Sequence, residues 1–174
     1  MRQLSYHDEE AGPPGQGEAR VSEGPVNLRA APGALDEPGG FGHGAAMPPT
    51  PLPEPGPVTR IARIVQPADA NSQGTLFGGE AMRFMDEAAA VAAIRYTHGS
   101  VVTAHVDAVD FHHPVPMGAL LEASARVTAV GRTSLVVEVI LESEDRYTGV
   151  RKMTTSGRFV LVAVDEEARP REIG

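Results

Sequence analysis

Apolar and polar positions follow the period of β-strands in five runs between residues 59 and 164. The first run covers residues 59–65, and Pro67 and Asn71 mark the turn after it. The other four cover residues 101–113, 120–130, 134–143 and 148–164. In the run 101–113, the apolar set Val102, Ala104, Val106, Ala108 alternates with the polar set Thr103, His105, Asp107. This alternation predicts one buried face and one wetter face.

One segment has the composition of a long helix, from residue 79 to residue 97. It is rich in Ala and Met, and its charged residues Glu80, Arg83 and Glu87 share one stripe. The rest of its circumference is mostly apolar, which predicts a largely buried helix. We expect Gly99 to end the helix in the left-handed conformation.

A buried helix followed by strands that short turns connect favours the α+β class. The hairpin-sized turns after residues 113, 130 and 143 predict an antiparallel sheet wrapped around the helix.

Residues 1–56 have a different composition. They hold 10 of the 19 Gly and 10 of the 15 Pro, and they lack any apolar run of period 2 or 3.6. We therefore predict a disordered, acidic tail over residues 1–56 and a folded domain over residues 57–171. A start of the chain at Met47 would remove most of this tail.

Charge and cysteine content limit the possible partners. The net charge of −8 divides into −5 for residues 1–56 and −3 for the remainder, which argues against nucleic-acid or anionic-membrane binding. No apolar run approaches the roughly 20 residues of a membrane span, and no export signal is visible. The absence of cysteine excludes thiol catalysis and fits a cytoplasmic location.

The segment that enters the helix carries the candidate chemistry. Asn71, Gly78 and Gly79 surround the helix start, where unpaired N–H groups can stabilise an oxygen that becomes negative. Asp86 follows two turns later, against the small apolar residues Ala89, Ala90 and Ala93, which suits a general base or a nucleophile. From these residues alone, Asn71 is better explained as a turn former, and Asp86 is equally well explained as a solvated carboxylate.

Several motif blocks occur in an order that resembles the acyl-CoA thioesterases of the hotdog fold. The blocks are Asp69-x-Asn71-x-x-Gly74-Thr75-Leu76-Phe77-Gly78-Gly79, Met85-Asp86, Val102-Thr103-Ala104-x-Val106-Asp107, Phe111-x-x-Pro114-Val115-x-x-Gly118, Gly131-Arg132-Thr133-Ser134 and Thr148-Gly149. The resemblance covers roughly residues 58–171. Gly118-Ala119 and Val150 depart from the usual pattern, in which acidic residues are common.

The resemblance implies hydrolysis of acyl-CoA to a carboxylic acid and CoA. Asp86 would be the general base or, less favourably, a nucleophile, Asn71 would position the substrate or water, and the Gly79 N–H would stabilise the oxyanion. It also implies a double-hotdog homodimer, often assembled into a trimer of dimers, with Asn71 and Asp86 of each site contributed by different subunits. Neither a cofactor nor a metal is expected.

A larger set of residues is expected to bind the acyl-CoA substrate. Phe77 and Gly78 are expected beside the thioester, and the coenzyme A phosphates need local cations and hydroxyls. The candidates for this role are Arg132, Thr133, Ser134, Arg151 and Lys152. Acyl chain length preference stays open.

Two other functions remain alternatives. A hotdog module could bind acyl-CoA without hydrolysing it, and Phe111-His112-His113-Pro114 is faintly similar to the His-Pro motif of hotdog dehydratases. In those enzymes the histidine precedes the helix. As neighbours on a strand, His112 and His113 are expected to point to opposite faces, which argues against a shared metal.

Overall fold

The computed structural model describes residues 49–174. Most of the predicted tail, residues 1–48, lies outside this range. The elements in chain order are β1 (Thr50–Pro51), β2 (Thr59–Ile64), a 3₁₀ turn (Pro67–Asp69), α1 (Gly78–Thr97), β3 (Val101–Phe111), β4 (Leu120–Val130), β5 (Ser134–Glu144) and β6 (Arg151–Ala163). The predicted helix and the five predicted strands are confirmed within a few residues.

The strands form one antiparallel sheet in the order β1-β4-β5-β6-β3, with β2 also paired to β4. The predicted antiparallel sheet is thus confirmed, but the predicted hairpin between β3 and β4 is wrong, because β3 pairs with β6. A hydrogen bond joins the connection between β3 and β4 to the loop that precedes α1. The Leu76 N–H donates to the Val115 carbonyl at 2.8 Å, and Val115 is buried. Pro114 and Pro116 have no N–H group to continue a strand ladder there.

The sheet curves around α1, and small side chains let the two approach closely. Ala88, Ala89 and Ala93 are fully buried, as are Met85 and Phe159, which faces the helix from β6. Burying a side chain as large as that of Phe159 contributes about 2–3 kcal/mol. Neither α1 nor any other helix within residues 49–174 is long and apolar enough to cross a membrane.

The helix ends at Thr97, as predicted, but the residue in the left-handed conformation is not the expected one. His98, not Gly99, adopts the left-handed conformation, with a φ of 50°, and its N–H donates to the Ile94 carbonyl at 2.8 Å. The Arg171 guanidinium lies against Gly99 and donates to the Thr97 carbonyl at 3.0 Å. Gly99 is therefore explained by this close approach rather than by its backbone conformation.

Two bulges in β3 make the predicted alternation wrong. The register with β6 shifts between Thr103 and His105 and again between Asp107 and Asp110. Thr103 is exposed, but it pairs with Leu161, which faces the helix, and Val102 on the other face is 46% exposed rather than buried. Because a bulge inserts one extra residue, it exchanges the faces of the residues on either side of it.

The boundary expected at residue 57 also differs from the structure. Thr50 and Pro51 pair with Val130 and Ala129 of β4, and the Leu52 N–H donates to the Thr128 carbonyl at 3.0 Å. Proline is compatible with this position because β1 is an edge strand. Residues 49–56 therefore belong to the folded part, although their composition predicts disorder.

Candidate active site

A buried ion pair fixes the loop that leads into α1. Asp69 is bonded to the Arg63 guanidinium, accepts a 2.7 Å hydrogen bond from the Gln66 N–H, and accepts another at its carbonyl from the Phe77 N–H at 2.8 Å. Arg63 lies over the Phe84 ring, 5.6 Å from its centroid. The loop is thus anchored to β2 and to the helix at the same point.

The Arg63 guanidinium holds the pKa of Asp69 below its ordinary value, and the Gln66 N–H acts in the same direction, whereas burial opposes both. Because the unfolded chain binds the proton more readily, this group stabilises the fold above a pH of about 4. That stabilisation is lost as the pH falls through the lower pKa of the folded state.

We expect Asp69→Asn to lower the free energy of unfolding by about 3 kcal/mol at pH 7, because it leaves the Arg63 charge unpaired in a largely buried position. Urea unfolding at pH 7 and at acid pH measures this, and the difference from the wild type should shrink in acid. The exposed Glu166→Gln is the control. An Asp69→Asn chain as stable as the control at pH 7 contradicts the assignment.

Asn71 makes its hydrogen bonds inside this loop. Its Oδ1 accepts from the Gln73 N–H at 2.9 Å and from the Thr75 N–H at 3.2 Å, and its Nδ2 lies 3.0 Å from the Thr75 Oγ1. The side chain is half-buried. Among residues 49–174 no hydrogen bond joins Asn71 to Asp86, so the chain by itself does not bring the predicted pair together.

The start of α1 leaves backbone N–H groups free. Phe77 caps the helix without a side-chain hydrogen bond, and its carbonyl accepts from Glu80 and Ala81. The N–H groups of Gly78 and Gly79 have no acceptor among residues 49–174. They are the donors that an oxyanion would use.

The exposed Phe77 ring covers Gly79 closely. A Cβ atom on Gly79 would lie 2.6 Å from Phe77 Cε1, and one on Gly78 would lie 3.6 Å from the Phe111 ring. The two glycines therefore let two aromatic rings approach the helix start.

Asp86 is half-buried on α1 and is held by a residue that the sequence interpretation did not assign to the site. The Thr103 Oγ1 donates to Asp86 Oδ1 at 2.6 Å, a short and charge-assisted hydrogen bond. The first bulge of β3 turns Thr103 toward the helix. The motif block that contains Thr103 could have indicated a role for this residue in the site. The alternation of apolar and polar residues instead predicted that Thr103 lies on the wetter face of the strand.

A cavity of about 230 Å³ opens beside the helix start. Its lining includes Gly78, Thr75, Phe111, His112 and His113. Because β3 ends at Phe111, the two histidines lie in a loop, so the expectation that they point to opposite faces of a strand is wrong. The His112 Nε2 lies 3.0 Å from the Ser156 Oγ.

The residues predicted to bind coenzyme A lie in two groups. Arg132, Thr133 and Ser134 form the β4–β5 turn, where Arg132 pairs with Glu172 at 3.1 Å. Arg151 and Lys152 lie at the opposite end of β5, about 30 Å away along the strand. Within one chain the two groups cannot bind the same phosphate.

Arg151 is already engaged by acidic side chains. It contacts Glu122 at 2.7 Å, Glu142 at 3.3 Å and Glu144 at 3.9 Å. The hydrogen bond to Glu122 is the main reason that the pKa of Arg151 is raised. These contacts leave Arg151 less available to a phosphate than the sequence suggests.

No group of three His, Asp or Glu side chains within residues 49–174 lies close enough together to hold a metal ion.

Comparison with known proteins identifies the family. The family model described as thioesterase superfamily matches residues 73–150. An acyl-CoA thioester hydrolase of Zymomonas mobilis is 38% identical over 117 residues, which cover 67% of this chain and 77% of the relative. The cytosolic acyl coenzyme A thioester hydrolase of Mus musculus is 30% identical over 70% of this chain, but only 33% of its own length is matched.

Solved structures agree with these relatives. A hexameric acyl-CoA thioesterase superimposes with a TM-score of 0.65 at 40% identity, covering 67% of this chain and 74% of the other. The acyl-CoA hydrolase of Staphylococcus aureus, solved with butyryl coenzyme A, superimposes with a TM-score of 0.63 at 33% identity, covering 67% and 71%.

The antiparallel sheet around one helix, with the donors at its start, is that of a hotdog-fold thioesterase, and this chain belongs to the thioesterase superfamily. Within that superfamily it is a member of the acyl-CoA thioester hydrolases. The dehydratase alternative is thereby set aside.

Proposed function

We propose that this chain hydrolyses acyl-CoA thioesters, with Asp86 as the general base. The observation that carries the proposal is the Asp86 carboxylate, oriented by the Thr103 hydroxyl on a helix whose first two N–H groups have no acceptor within residues 49–174. Such a carboxylate can remove a proton from water, and the N–H groups can stabilise the oxygen on which charge develops.

In the proposed reaction these groups act together with Asn71, which positions the substrate or the water. Water loses a proton to the free oxygen of Asp86 and attacks the thioester carbon. The carbonyl oxygen becomes negative against the Gly79 N–H of the subunit that contributes Asn71, because Gly79 and Asp86 of one helix are seven residues, or about 10 Å, apart. When the intermediate collapses, the C–S bond breaks and coenzyme A leaves as the thiol after taking up the proton that Asp86 removed from water, which returns Asp86 to the carboxylate. Thr103 keeps Asp86 Oδ1 occupied, which directs the other oxygen to the water.

Variants of a relative support the same three residues. Solved variants of the S. aureus acyl-CoA hydrolase carry alanine in place of an asparagine at position 28, an aspartate at position 43 and a threonine at position 60. These positions are 15 and 17 residues apart, and Asn71, Asp86 and Thr103 have the same spacings of 15 and 17. We therefore add Thr103 to the proposed site.

The proposal includes assembly into homodimers, with trimers of dimers as the higher form. Asn71 is committed to its own loop and makes no hydrogen bond to Asp86 within residues 49–174, which is expected if each site takes these residues from different subunits. Hexameric thioesterases among the similar structures support further assembly. We also propose a cytoplasmic location, as the name of the mouse relative indicates for that protein.

Release of the coenzyme A thiol from a series of acyl-CoA thioesters of increasing chain length tests the activity. We expect turnover with at least one chain length and a linear dependence on enzyme concentration. A chain that binds acyl-CoA in calorimetry but releases no thiol would instead be a binding module.

Thr103→Val is expected to lower kcat about 10- to 100-fold with little change in KM, because it removes a charge-assisted hydrogen bond worth roughly 1.5–3 kcal/mol. Steady-state kinetics measures this, and Thr103→Ser, which keeps the hydroxyl, is the matched control. If Thr103→Ser loses as much activity as Thr103→Val although it keeps the hydroxyl, the loss does not come from the hydrogen bond to Asp86, and the positioning role is wrong.

A further inference from the structure

The hairpin between β5 and β6 presents an aromatic ring and a free guanidinium side by side. Tyr147 is 81% exposed, and the Arg146 guanidinium lies over its ring, 4.8 Å from the centroid. Arg146 forms no salt bridge with any carboxylate of residues 49–174, unlike Arg132 and Arg151. In an acidic domain such an unpaired arginine is available to an anion.

The hairpin that carries this pair is firmly built. Asp145 Oδ1 accepts from the Tyr147 N–H at 3.0 Å, the Thr148 N–H at 2.8 Å and the Thr148 Oγ1 at 3.0 Å. These hydrogen bonds, first of all those of Thr148, hold the pKa of Asp145 below its ordinary value. Gly149 supplies the positive φ, of 69°, that closes the turn. The backbone that carries Arg146 and Tyr147 is therefore fixed by hydrogen bonds within the turn.

A continuous surface joins this hairpin to the cavity at the helix start. Thr75 lines the cavity and forms an isolated antiparallel β-bridge with Pro116. The Met117 N–H donates to the Gly74 carbonyl at 3.2 Å. The next residue, Gly118, lies under Arg146, since a Cβ atom there would be 3.4 Å from Arg146 Nη1.

The distance between the cavity at the helix start and the β5–β6 hairpin suits an extended ligand. Thr155 of β6 also lines the cavity, and it lies four residues, or about 13 Å, from Arg151, where the hairpin begins. A ligand with its reactive group in the cavity would reach the hairpin with its far end.

We propose that this hairpin binds the nucleotide end of coenzyme A, with the adenine stacked on the open face of Tyr147 and a phosphate bound by Arg146. The inference rests on the proposed function, because the pantetheine arm would follow the surface from the helix start to Gly118. Aromatic rings bind bases by stacking, and guanidinium groups bind phosphate in bidentate fashion. Arg132, at the far end of the sheet, then has no part in this subunit's nucleotide site.

Kinetics with two substrates tests this. Tyr147→Ala and Arg146→Ala are each expected to raise KM for an acyl-CoA about tenfold while leaving kcat unchanged, and to leave the kinetics of the matching S-acyl-pantetheine unchanged, since that substrate lacks the nucleotide. Tyr147→Phe should keep the wild-type KM. The exposed Arg169→Ala, which lies in the C-terminal turn, is the control for loss of positive charge.

Direct binding separates this inference from the activity. Adenosine 3′,5′-bisphosphate should bind the wild type in calorimetry and should bind Tyr147→Ala and Arg146→Ala about tenfold more weakly. Equal binding to all three chains, or a KM increase of the same size for acyl-CoA and acyl-pantetheine, overturns the hairpin site. If the wild type binds the bisphosphate at the hairpin but hydrolyses neither thioester, the hairpin site stands and the proposed hydrolysis fails.

Discussion

Asp86→Asn is expected to reduce kcat for acyl-CoA hydrolysis about 10³-fold, within the range for loss of a general base. The amide has the shape of the carboxylate and can still accept the hydrogen bond from Thr103, so the fold and KM should change little. What the variant loses is the ability to take a proton from water. Thiol release under saturating substrate measures the effect, and thermal unfolding checks that the chain is folded.

The neighbouring Glu87 provides the matched control. It lies on the same helix, its side chain is 56% exposed, and its nearest cation is Arg83 at 3.8 Å. Glu87→Gln removes the same charge from α1 but should retain full activity. If both variants keep wild-type kcat, Asp86 is not the base; if both lose activity equally, the effect comes from the net charge of the helix.

The sequence was sufficient for the helix and for the order of the strands because both depend on local periodicity. Apolar residues on most faces of residues 79–97 required burial, and the strand-like runs that follow supply a sheet to cover the helix. The pairing partner of β3 was not predictable in the same way. It depends on which edge of the sheet the chain reaches after Pro114, and this is decided by tertiary contacts such as that of Leu76 with Val115.

The sequence named Asn71, Gly79 and Asp86 for the proposed site, but it did not name Thr103, whose hydroxyl donates to Asp86. Thr103 was placed on the wrong face because alternation assumes an unbroken register, and a bulge leaves no distinct mark in a sequence of Val, Thr and Ala. The sequence also grouped Arg132 with Arg151 as candidates for one ligand. Only the strand pairing reveals that a whole strand separates them.

Asn71 leads to the second prediction with a large effect. Asn71→Ala and Asp86→Ala should each be nearly inactive as pure proteins, with kcat reduced by at least about 10². When the two variants are coexpressed in equal amounts, activity should return to about a quarter of the wild-type value, because half of the dimers are hybrids and each hybrid has one intact site of two. Thiol release by the purified mixture measures the recovery, and mass spectrometry gives the proportions of the chains.

The reverse mixture is the control, because it distinguishes a shared site from a site within one chain. Wild type coexpressed with the double variant Asn71→Ala/Asp86→Ala should have about a quarter of full activity if the residues come from different subunits, since every hybrid site then lacks one of them. Sites within one chain predict about half in this mixture and no recovery in the mixture of single variants. The loop hydrogen bonds that keep Asn71 away from its own Asp86 are the reason that we expect the first result.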